Sequence, residues 1–281
     1  MSSTLLASAL TASDYIAQGR ACLVAHDLWG ANTNFASALA LSPTNETANA
    51  LAAATRLLTL PQQPAGSNFL NQLGFAKTNR DVYNWLAQMP KDANGNTIFP
   101  ANYNSATAIA FMRTNLMAAV AASATNLANI KSAGFALSLS ASETSIQDVT
   151  VDYGDIQMLR AMLAAAQFAG YTINAQNLSV VISALQKMSE TNGLTLQSVL
   201  ATYPNLLTLS APADLASSKG ALTNAIALYL AASDFIRNVR APGGNPHLAP
   251  AAGRPGPQPR SRTADDARGR GVPDRQTGVH P

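Results

Sequence analysis

A chain of 281 residues, 47% apolar and only 12% charged, is long enough for one large domain or two small ones. Its 18 Lys+Arg and 15 Asp+Glu leave a net charge of +3, and the excess lies past Arg240: the body is neutral, with twelve basic and twelve acidic residues, whereas 241–281 carries six Arg and three Asp. A neutral body has no field to gather phosphates, which argues against nucleic-acid binding, and the single Cys22 excludes an internal disulfide and any multi-cysteine metal site.

The charged share is about half of that in an ordinary globular protein. Asn, Ser and Thr take the place of charge on the surface, as in many exported bacterial proteins, so the bacterial envelope or exterior is favoured over the cytoplasm. "MSSTLLASALTAS" has no positive start and only a short apolar stretch, so no signal peptide is legible, although an upstream leader stays open. The best membrane candidate, "AIAFMRTNLMAAVAA", is interrupted by Arg113 and Asn115, and no transmembrane segment is expected.

In chain order, residues 12–26 and 28–41 read as two helices joined by a tight turn at Asp27, and 46–60 as a third stopped by Pro61. "AGSNFLNQL" is a short fourth helix that Gly74 can end, and "NRDVYNWLAQM" predicts another before Pro90. "KDANGNTIFPANYN" is a loop with an Asn-Gly turn. A long helix is predicted over 105–130, where Ile109, Met112, Leu116, Val120, Leu127 and Ile130 keep to one face. The period then changes. Phe135, Leu137 and Leu139 alternate with small residues, as do Val149 and Val151, which predicts a small β-hairpin near 135–152.

Helical period returns at Asp152, which can cap the next helix with Asp155 in its first turn. Helices near 174–188 and 195–202 follow, and a last one near 212–238 is expected to bury Leu215, Leu222, Ile226, Tyr229 and Ile236. After Arg240 the chain is rich in Pro, Gly and Arg and has no aromatic residue, which predicts a disordered tail over 241–281. Such a composition arises from out-of-frame translation of GC-rich coding sequence or from a natural basic linker. The fold class expected is all-α, with an irregular helical bundle and the small hairpin.

The segment "GRACLVAHDLWGANTNFASALALSP" raises a question of its own. Tyr15 stands early in the first helix and Gly19 four residues on; Ala31 follows twelve after Gly19, then Phe35, Ala38 and Pro43. This spacing resembles the tetratricopeptide repeat, a helical hairpin with a period of 34 residues. Adding 34 maps Gly19 to Ala53, Ala31 to Ala65 and Phe35 to Phe69, so a degraded second repeat is expected over 46–79. Gln18 and Cys22 depart from the pattern in the first repeat, and Gln72 and Lys77 in the second. The resemblance implies helical hairpins over 1–79, a helical domain over 80–240 packing on them, and non-catalytic work as a scaffold or protein-contact module. By matching, the ligand face of such hairpins would carry Ser13, Ile16, Arg20 and Leu23, then Thr47, Ala50, Ala54 and Leu57. Arg20 and Tyr15 are its candidate binding residues, for a protein partner. Because the face is mostly apolar, later helices of the chain are expected to cover it.

Chemistry-bearing residues are few. Cys22 and His26 have metal-ligand spacing on one helix but lack further partners, so they read as a packed thiol and a helix-end imidazole. Asp92, Asn94 and Asn96 start like a calcium loop, yet Thr97 and Tyr103 stand where Gly and an acid are required. Asp148, Asp152 and Asp155 could serve a hydrolase or carbohydrate-active enzyme, although capping explains the last two. No phosphate-binding glycine loop is present. The reading is therefore no enzyme, no cofactor and no metal, with an accessory domain of a larger exported protein and the Asp148–Asp155 hydrolase as alternatives.

Overall fold

Local signals set most helix starts. A computed structural model describes residues 9–191 and 193–239, and in it Thr11 and Asp14 form a reciprocal capping box at the head of α1 (Ala12–Val24). Asp27 accepts from the Gly30 amide at 2.8 Å to start α2 (Leu28–Leu41), while His26 takes the left-handed conformation, φ 59°, that reverses the chain. Asn45 caps α3 (Glu46–Leu58) through the Ala48 amide. Pro64, with no amide hydrogen to lose, opens α4 (Pro64–Gln72), and Gly74 at φ 85° turns the chain away from its end.

The α1–α2 contact is a seam of small residues plugged by one ring. Gly19, Ala31, Phe35 and Ala38 are all buried, and a Cβ at Gly19 would overlap the Phe35 ring. Beyond α2, the alanine-rich α3 is covered on both sides, by α2 and by the later helix α6. Ala48 and Ala52 are fully buried, and Leu51 keeps 3% of its surface.

The segment expected as a helix before Pro90 is instead a two-stranded turn, β1 (Arg80–Asp81) with β2 (Asn84–Trp85). The reason lies in Arg80. Its buried guanidinium donates to the carbonyl of Ser67 within α4, to those of Phe75 and Ala76 just past its end and to Asn71 Oδ1, and Asn79, the residue before it, adopts φ 58°. The Asp92 loop closes as a turn, with Asp92 Oδ1 accepting the amides of Asn94 and Asn96.

The long helix over 105–130 consists of α5 (Ala106–Phe111), a π-turn (Met112–Leu116) and α6 (Met117–Ala128). The π-turn carries Arg113, whose guanidinium donates to the Asn174 carbonyl at 3.0 Å and reaches Asp214 at 3.4 Å. The expected β-hairpin is present as β3 (Ala136–Leu139) antiparallel to β4 (Val149–Asp152), with Leu137 opposite Val151 and Ser138 opposite Thr150. Its connection holds a single helical turn, α7 (Ala141–Thr144). Asp152 and Asp155 then form the capping box of α8 (Tyr153–Ala175).

The helix expected from 174 begins later. Bridges Gln176 to Leu209 and Asn104 to Val181 keep the intervening chain extended until α9 (Ile182–Glu190), followed by α10 (Leu196–Thr202) and α11 (Pro212–Val239). The fold is thus mostly helical, with small antiparallel β pairs. Among the described residues no helix is long and apolar enough to cross a membrane. The predicted tail, 241–281, lies outside the described residues.

Two expectations need correction. α4 packs chiefly on α5 rather than back along α3. Ala65 is exposed, and Phe69 stacks on Phe111 with ring centroids 4.3 Å apart, so the second hairpin predicted over 46–79 does not close as the first does. Gly66, one residue on from Ala65, is the buried small residue, because the Leu60 carbonyl occupies the space of a Cβ there. The second correction concerns α11. Leu215, Leu222, Ile226 and Tyr229 face solvent, and the face turned inward is Ser218, Ala221, Ala225 and Ala232. The buried face of α11 is thus made of small residues, and nothing further out covers the large ones among the described residues.

Candidate functional site

The face assigned to ligand binding on α1 and α3 is occupied by the chain itself, mainly by the β3–α7–β4 strap rather than by later helices alone. Arg20 donates from Nε to Glu143 Oε1 at 2.6 Å and from Nη2 to Glu143 Oε2 at 2.9 Å, and also to the Ser138 carbonyl at 2.9 Å. The pair joins an Arg side chain 36% exposed to a Glu side chain only 5% exposed. Planar fork meets planar carboxylate, the geometry in which Arg outperforms Lys. The Ser140 amide and hydroxyl also donate to Glu143 Oε2. Together, led by the Arg20 bond, they pull the Glu143 carboxyl down to about 2, and Glu143 in turn raises Arg20.

Two more contacts hold the strap to the end of α1. His26 Nε2 lies 2.8 Å from Ser145 Oγ, and the imidazole stacks on Tyr83 with centroids 4.4 Å apart. Tyr83 Oη donates to the Glu143 carbonyl at 3.4 Å, and burial, aided by the charge on Asp81, pushes its phenol up. The Ser145–His26 pairing spans 119 positions in sequence and left no local signal. It has the reach of a nucleophile and a base. However, the amides of Ile146 and Gln147 already donate to Thr144 Oγ1, so they offer no cradle for an oxyanion. The arrangement serves as a tether.

Of the other predicted residues, Tyr15 is half-buried, Ser13 exposed and Ile16 packed against the core; Leu23 is buried and Thr47 half-buried. Pro43 is exposed and its carbonyl accepts from Asn49 Nδ2. Cys22 and His26 turn to different partners, Asn34 and Ser145. Among the described residues no three His, Cys, Asp or Glu side chains gather as metal ligands. The three carboxylates Asp148, Asp152 and Asp155 are engaged at helix starts: Asp148 accepts from the Ala141 amide at 2.7 Å, and the other two cap α8.

Behind the strap lies an apolar cavity of about 170 Å³. Ala50, Leu51, Ala53 and Leu57 line it from α3, Ser123 and Leu127 from α6, Leu137, Leu139 and Val151 from the strap, and Ile156, Leu159 and Leu163 from α8. The one hydroxyl in the wall, Ser123 Oγ, donates to the Ala53 carbonyl at 3.0 Å. A water inside would find few polar partners in this wall. The sequence reading placed Ala50, Ala54 and Leu57 on one face; it had no means of joining them to a wall assembled from four further elements.

No protein-family model matches the chain, and neither curated proteins nor solved structures provide a match.

Proposed function

We propose that this chain is a non-catalytic protein-contact module, a helical platform that receives a helix of a protein partner along α11. One observation carries the reading. Leu215, Lys219, Leu222, Ile226 and Tyr229 advance by four, three, four and three residues, and all five are exposed. That is the spacing of a coiled-coil seam, in which apolar knobs fit between the side chains of a facing helix. A single Lys within such a seam sets register at a cost in stability. The α1–α2 seam built on Gly19, Ala31 and Phe35 supports describing the first hairpin as tetratricopeptide-like, and the capping roles of Asp148, Asp152 and Asp155 fit a scaffold better than a hydrolase.

Site-specific photo-crosslinking tests the reading. Benzoylphenylalanine replacing Tyr229 is expected to yield a discrete protein adduct that disappears in the Leu222→Glu, Ile226→Glu double variant. The same probe replacing the exposed Ala227, outside the stripe, serves as the control. Equal adducts from both positions, or none from the stripe, would contradict the proposal.

A further inference from the structure

We infer that the cavity behind the strap is a binding site for a hydrocarbon group the size of one six-membered ring or a six-carbon chain. The inference is independent of α11 and goes beyond the contact role. Three features carry it. The first is volume: about 170 Å³ exceeds the roughly 150 Å³ at which an aliphatic protein cavity stays dry and admits benzene. The second is chemistry. The wall is aliphatic, and its single hydroxyl, on Ser123, is spent on the Ala53 carbonyl, so a ligand gains by shedding apolar surface and finds no free polar partner in the wall.

The third is rigidity. An empty apolar space persists only if its walls cannot close on it, and here polar ties set their spacing. Ser123 Oγ binds α6 to the α3 backbone, and Arg56 Nη1 donates to Asn126 Oδ1 at 2.6 Å. Asn126 Nδ2 donates to Asn49 Oδ1 at 2.8 Å. On the opposite wall, Arg20 and Glu143 fix the strap at 2.6 Å. Shifting α6 against α3, or the strap against α1, would break these bonds, two of which involve the charged groups of Arg56 and Arg20. Access does not require unfolding, since Ala54 and Leu159, at the rim, are both exposed.

Benzene titration of the full chain, followed by amide NMR shifts and by thermal melting, tests the site. Saturable shifts confined to α3, α6, the strap and α8, with a raised Tm, are expected. Ala50→Leu, which fills the space, should weaken binding at least tenfold while the unliganded protein melts no lower. Should that variant fail to fold, Leu137→Ala provides the second measurement: the enlarged space should bind naphthalene at least tenfold more tightly than the native chain does. Hexane and dihexanoyl phosphatidylcholine, the latter below its micelle concentration, separate a free hydrocarbon from an acyl tail, and competition by either with benzene supports the site. Absence of saturable binding by the folded native chain, equal benzene affinity in folded Ala50→Leu, equal naphthalene affinity in Leu137→Ala, or failure of both competitors would overturn the inference.

Discussion

The helices α3 and α11 are built from similar material and end in opposite environments. Both are rich in alanine with leucines between. In α3, which packs on both α2 and α6, the alanines allow close approach on two sides, and Leu51, in the cavity wall, keeps only 3% exposure. In α11 the buried residues are again small, Ala221, Ala225 and Ala232 among them, but only one side is covered, and Ile226 remains 53% exposed. Small residues determine how near two helices come; whether the large residues are buried depends on a second layer being present. Burial is therefore a property of the assembly and not of the helix pattern.

The largest expected effect sharpens that contrast on the α3 side. Leu51→Ala removes a sealed side chain next to an existing void, so the wall has little ability to relax into the new space. It should cost about 3 kcal/mol in urea unfolding, with the m-value unchanged. A loss below about 1 kcal/mol would mean that the second layer over α3 is looser than its burial indicates.

Next in size is the tie that keeps this layer in place. The Glu143 carboxyl is held at about 2, against an ordinary value of 4.5. A carboxyl depressed by folding adds stability that is fully present above pH 4.5 and is lost as pH falls through about 2. Allowing for solvent screening of an Arg side chain that is 36% exposed, the tie is worth about 2 kcal/mol. Arg20→Ala should lower stability by about that amount at pH 7 and flatten the acid limb between pH 4.5 and 2, as measured by unfolding at a series of pH values. An unchanged acid limb in Arg20→Ala would place the depression of Glu143 on the Ser140 hydrogen bonds instead.

Much of the backbone was legible because its signals are local. Thr11 with Asp14 and Asp152 with Asp155 mark helix starts through hydrogen bonds three residues long, and the alternation of Phe135, Leu137 and Leu139 marks a strand. The misreadings share a physical origin in distant partners. Arg80 left a helical pattern because carbonyls around the end of α4 accept its guanidinium, and α9 starts late because Gln176 and Val181 bridge to Leu209 and Asn104. Less of the candidate site was legible. Arg20 was singled out from its place on α1, but its partner Glu143 lies 123 positions away, as far beyond local pattern as the His26–Ser145 contact at 119. The amphipathic pattern of α11 gave the large residues an inward face that the neighbouring helices do not supply.

The smallest effect tests the other side of the comparison. Ile226→Ala removes a side chain that is more than half exposed and replaces a β-branched residue with the best helix former. The lost contact and the gained propensity oppose each other, so stability at dilute concentration should change by about 0.5 kcal/mol or less. The same substitution removes a knob from the four-three stripe, so its effect should emerge only when a partner helix is present, as faster dissociation. A cost above about 1 kcal/mol in the isolated chain would reverse the argument. It would show that the outward face of α11 is covered in the free protein, leaving α3 and α11 no longer distinguished by the layer that seals one and not the other.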